Sequence, residues 1–302
     1  MGFFAGAANG ADDVGEARVS DIASWLVEHQ SWVLTVLTIL SVIIIWRFNA
    51  VRVGGLDAGE RDVKPIPALM WLFAAATTFL AWGLGAQAAV EVLGFTGETI
   101  RDRAVQTLVS NAVAALVGLG LLWFVAREAK DAGVRPGWAD WPIGIGLFFV
   151  IYPIVALAGL VGLWTTRGMD TVPQDRLAHE TLQLIAQHQG DAWTWVLSAV
   201  VVLLVPLVEE LIYRVYLQSA IVRLIRVRWL SVILTSLLFT AIHWPILPEG
   251  GRYAMAPIFV LSVGLGAAYE RTGKLGVPIA MHASFNALNL LMAFLIEPMA
   301  QG

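Results

Sequence analysis

Long apolar runs alternate with short polar connections along the whole chain. Runs bounded by charge, Gly or Pro recur near 31–46, 66–90, 104–126, 141–164, 192–217, 229–247, 254–270 and 276–296. Their lengths suit helices that cross a bilayer. The pattern predicts an all-α, polytopic membrane protein with about eight transmembrane helices. Trp32, Trp46, Trp123, Trp141, Trp164, Trp193, Trp229 and Trp244 fall at run ends, as an aromatic belt requires. In the longest connection, 165–191, Leu177, Leu182, Leu184 and Ile185 alternate with Asp175, Arg176, His179 and Glu180. That spacing predicts a short amphipathic helix on the interface, near 175–190. Residues 1–30 are acidic and Gly/Ala-rich with Arg18 as the first basic residue, so they read as a mobile tail rather than a signal peptide. A four-span region, 31–164, follows, and 192–296 forms a second, more polar group of spans.

Composition sharpens this picture. Of 302 residues 58% are hydrophobic and 14% charged, with mean hydropathy +0.73, which excludes a soluble globular protein. Zero cysteines exclude disulfide scaffolds, thiolate zinc sites, cysteine nucleophiles and palmitoylation. A net charge of −4 without a dense basic face argues against nucleic acid. Most Lys and Arg lie in the first, third, fifth and seventh connections, most densely at Arg223, Arg226 and Arg228. The positive-inside rule then puts those connections in the cytoplasm and both termini outside, in a plasma or inner membrane.

Three polar intrusions carry the chemistry. In WVLSAVVVLLVPLVEELIYRVYLQ, Glu209 and Glu210 interrupt an apolar span. A carboxylate there costs at least about 2.5–3.5 kcal/mol unless it faces protein or water. Arg214 shares a helical face with Glu210 and can neutralise it, whereas Glu209 points about 100° away and is free for another partner. In LLFTAIHWP, Phe239 and His243 stand at i, i+4; in VPIAMHASFNALN, His282 and Asn286 do the same. A single intramembrane His is commonly a hydrogen-bonded structural residue. Two, accompanied by a Glu pair, supply a base, two imidazoles and an amide, the parts needed to activate water and stabilise an oxyanion. His29, His179 and His188 fall in polar segments and read as surface. The glycines of GLGLL, GIGLF and VGLGAAYE follow no strand and read as close-packing positions. Neither GxSxG nor HExxH occurs.

The ordered set Glu209-Glu210-x-x-x-Arg214, Phe239-x-x-x-His243 and His282-x-x-x-Asn286 resembles the CAAX-protease and bacteriocin-processing (CPBP, or Abi) family of intramembrane endopeptidases. The resemblance covers about 195–290 and implies peptide-bond hydrolysis at a site open to the cytosol, with 192–296 as the catalytic core. It implies Glu209 as the water-activating base, His243 as its partner, and His282 and Asn286 around the oxyanion. Glu210 and Arg214 would hold their helix, with Phe239 in support. The substrate would be a membrane-associated peptide or protein. No cofactor is favoured, although Glu209, His243 and His282 form a His₂Glu set that zinc accepts. Two other readings stand beside this one: an ion- or proton-coupled transporter, and an idle family member acting as a scaffold or immunity protein. One conflict is internal to the layout. Counted from the cytoplasmic ends of their spans, His282 lies ~9 Å deep, Glu209 ~12 Å and His243 ~21 Å, so a shared site requires either that the sixth span begins later, with 229–234 on the surface, or that the helices tilt.

Overall fold

The computed structural model describes residues 30–49, 54–56, 61–135, 137–167 and 180–295. The expected tail therefore lies outside the described residues apart from Gln30, as do His29, Asp175, Arg176, Leu177 and His179. The helices are α1 (Gln30–Arg47), α2 (Ala68–Glu91), α3 (Ile100–Glu128), α4 (Asp140–Arg167), α5 (Glu180–Gln187), α6 (Ala192–Ile225), α7 (Arg228–His243), α8 (Met255–Thr272) and α9 (Gly276–Leu295). No strand occurs among the described residues. Seven of these helices are long and apolar enough to cross a membrane, and α1 supplies a shorter apolar run, Trp32–Arg47. The protein is a polytopic all-α membrane protein. Leu69, Phe73, Leu80 and Leu84 of α2 point outward, a surface suited to lipid rather than water.

The amphipathic segment forms as the two-turn helix α5. Ile185 is fully buried and packs with Ile100, Ala104 and Leu197, so this apolar face meets protein at the ends of α3 and α6. His188 is exposed and donates from Nδ1 to the Leu184 carbonyl, as a surface histidine can.

The largest departure from the predicted spans is α6. It continues to Ile225, eight residues past the expected end at 217. At α-helical rise its 34 residues extend about 50 Å, beyond a hydrocarbon core of ~30 Å. Gln218, just past the expected end, is buried; its amide donates to the Gly266 carbonyl and to Glu270. The longer helix removes much of the depth conflict. Glu209 precedes Ile225 by 16 residues and His243 follows Arg228 by 15, so both lie ~22–24 Å from neighbouring helix ends. The remaining offset, at His282, has a separate cause. Leu275 and Gly276, where α9 begins, are already buried, and Leu275 N–H donates to the Gly133 carbonyl. Residues counted from the start of α9 therefore do not measure depth from a surface.

Candidate active site

Glu209 and Glu210 occupy an α-helical stretch, Val205–Glu210, between two π-helical segments of α6, Val200–Leu204 and Leu211–Gln218. π segments are uncommon and frequently mark functional positions. Glu210 is completely buried, and both its oxygens are engaged. Arg214 Nε donates to Oε2 at 3.0 Å, and His282 Nδ1 donates to Oε1 at 2.9 Å. Arg214 is itself fully buried; its Nη2 donates to Ser262 Oγ at 3.0 Å, and its guanidinium lies 5.2 Å from the Phe239 ring centroid. The arginine thereby ties α6 to α8 and α7, and the histidine ties α6 to α9.

Glu209 has a different setting. Its side chain keeps 25% of its surface, and its Oε2 lies 3.6 Å from His282 Nε2. That separation is too long for a direct hydrogen bond but close enough for a charge contact. The two glutamates thus meet opposite edges of one imidazole, Glu210 at Nδ1 and Glu209 at Nε2. Phe239 joins the remaining imidazole to this group. Its ring lies 4.6 Å from His243, 6.0 Å from His282 and 5.0 Å from Tyr213, one turn after Glu209. His243 donates from Nδ1 to the Phe239 carbonyl at 2.7 Å, which leaves Nε2 as an acceptor. Asn286, one turn after His282 on α9, donates from Nδ2 to the Val201 carbonyl of α6 at 2.9 Å. Six of the seven residues singled out by sequence are therefore linked by contacts at the junction of α6, α7 and α9, while Asn286 stands one turn along α9 and meets α6 at Val201 instead. Among the described residues no three His, Asp or Glu side chains are arranged to hold a metal ion.

Residues 191–288 match the Rce1-like family, described as type II CAAX prenyl endopeptidase Rce1-like. This stretch is a CPBP-family domain. The CPBP domain runs from the residue before α6 to the middle of α9 and contains every residue of the group just described. No curated protein and no solved structure matches the chain.

The sequence did not expose a second buried polar cluster, at the opposite end of α8 from its start. Glu270 receives Arg61 at 3.1 Å, Gln218 at 2.8 Å and a short ion pair from Arg228. Arg61 also donates to Ser219 and stacks 3.9 Å from the Tyr269 ring centroid. Burial opposes charge on Arg61, but Glu270 and Tyr269 outweigh it and hold the guanidinium above its ordinary value. Glu270 closes the VGLGAAYE run, where the glycines drew attention and the terminal carboxylate did not. Only the charge of a residue in the last turn of a span could have flagged it.

Proposed function

We propose that the chain is a membrane-embedded endopeptidase in which Glu209 removes a proton from water and the resulting hydroxide attacks a peptide carbonyl. The observation that carries this reading is the unequal setting of the two carboxylates. Glu210 is sealed and held at both oxygens, whereas Glu209 keeps solvent access beside an imidazole edge. A base must reach its water, and only one of the two can.

In this mechanism the water donates one hydrogen to Glu209 and the other to His243 Nε2, which accepts because Nδ1 carries the proton given to Phe239. Attack on the carbonyl carbon forms a tetrahedral oxyanion, which His282 at its Nε2 edge and the second N–H of Asn286 stabilise. Collapse breaks the C–N bond, the proton on Glu209 passes to the departing amine, and the other fragment leaves as a carboxylic acid that gives its remaining proton to solvent. Glu210 offsets the charge of Arg214 and accepts from His282 Nδ1. The substrate is a membrane-associated peptide or protein, the catalytic core is 192–296, and the site opens towards the cytoplasm. A zinc alternative would draw on Glu209, His243 and His282 through their remaining donor atoms. The metal-free reading keeps Glu209 as the base and leaves Glu210 with Arg214 and His282.

Glu209→Gln and His243→Ala should each lower turnover of a defined peptide substrate by about 10²–10⁴-fold while the protein remains folded and inserted. Near-normal turnover by Glu209→Gln would refute the base assignment. Purified enzyme should hold less than one tightly bound zinc per site and stay active in o-phenanthroline. Stoichiometric zinc, lost with activity and restored with it, would install the metal mechanism instead.

A further inference from the structure

Pro206 sits one turn before Glu209, in the first turn after the π-helical segment Val200–Leu204. In that segment the Val205 N–H donates to the Val200 carbonyl, five residues back, and so does not serve Val201. The next donor in the same register is residue 206, which is proline and has no N–H. The Val201 carbonyl is consequently left without a backbone donor inside an apolar span, where an unpaired carbonyl is costly. Asn286 Nδ2 fills this vacancy from α9 at 2.9 Å, across 85 residues of sequence. The other small polar side chains nearby on α9 behave differently. Ser284 and Asn289 bond back to carbonyls of their own helix, at Ala280 and Phe285.

We infer that Asn286 is a positioning residue that replaces the backbone donor Pro206 lacks, and so fixes the turn carrying Glu209 against α9. The inference rests on the reading of Glu209 as the base. His282 and Asn286 stand at i, i+4 on α9 and grip α6 at Glu210 and Val201. The segment 201–210 is therefore clamped at both ends, with the proline between the clamps and Glu209 beside the second. Without the Val201 clamp, the proline-bearing turn has one anchor, and the 3.6 Å approach of Glu209 to His282 is no longer fixed.

The test uses the full chain in membranes. Asn286→Ala should lower kcat by about 10²-fold, the scale of a ~1 Å misplacement, with KM little changed, and should lower the thermal midpoint. Adding Pro206→Ala restores an N–H that can reach Val201 in the π register, or lets Val205 reach it if the helix relaxes to the α register. The double variant should therefore recover at least about tenfold in kcat and most of the midpoint. A donor acting only on the oxyanion could not be replaced in this way. Recovery of neither quantity would overturn the inference. If Asn286→Ala alone fails to accumulate, recovery of inserted protein by Pro206→Ala becomes the readout, and its absence the refutation. The same pair measured for thermal midpoint in a Glu209→Gln background separates the two proposals, since that readout does not require Glu209 to be the base.

Discussion

Adjacent glutamates can have opposite fates because one residue of helix turns a side chain by about 100°. Glu210 turns into the junction of α6, α8 and α9, where Arg214 and His282 meet it; Glu209 turns toward the accessible side. The two should therefore fail differently. Glu210→Gln strands the buried Arg214, whose Nη1 already lacks a hydrogen-bond partner, and should cost ~3–5 kcal/mol of stability. Glu209→Gln should leave the unfolding midpoint near that of the parent while removing activity. Equal midpoints for the two variants in a thermal melt would contradict this division. The pairing of Glu210 with Arg214 was legible in the sequence, because i, i+4 neighbours on a helix are local. Its second partner was not, because His282 arrives 72 residues later and only packing of α9 on α6 brings it there.

At the scale of elements, apolar length revealed the spans, and polar residues concealed where one of them ends. The fifth was expected to end at 217, and the buried Gln218 that continues it finds its partners, Gly266 and Glu270, on another helix. The glycine pairs illustrate the same limit. In GIGLF, a Cβ on Gly144 would lie 2.5 Å from the Val277 carbonyl oxygen and 2.6 Å from Ala280 Cβ, whereas one on Gly146 would meet nothing within 4 Å. Close packing was the right expectation for the motif, but sequence could not say which glycine faces α9. Gly144→Val should push α4 from α9, displace His282 and reduce both thermal stability and turnover. Gly146→Val should be tolerated, since its side chain enters open space. Equal loss from both substitutions would show that the α4–α9 approach does not set the site.

At the scale of the whole molecule, four connections gather on one face. Arg61, Ala132, Arg228 and Glu270 come from or border the first, third, fifth and seventh, and all belong to one bonded cluster with Tyr269. These are the connections richest in Lys and Arg, so charge bias and topology agree on a common side, which the proposed orientation puts in the cytoplasm. The chain has no native thiol, so single cysteines can test the assignment. Val227→Cys, exposed in the fifth connection, should react with an impermeant maleimide only in opened membranes, and Leu93→Cys, exposed in the second, should react in intact cells. The reverse pattern would invert the orientation.

The division of partners around Glu210 also bears on how the protein is made. A ribosome delivers α6 to the bilayer with its two glutamates and Arg214, long before α9 exists. Until then the intrahelical pair can offset one carboxylate, while the other must remain near water or protein, given the cost of a charge in lipid. Arrival of the last helix supplies the histidine that meets both glutamates and the asparagine that closes the Val201 carbonyl. Synthesis of the C-terminal span is thus the step that lets the fifth settle into its final depth, and a nascent chain stopped before residue 276 should be a substrate for membrane quality control rather than a stable intermediate.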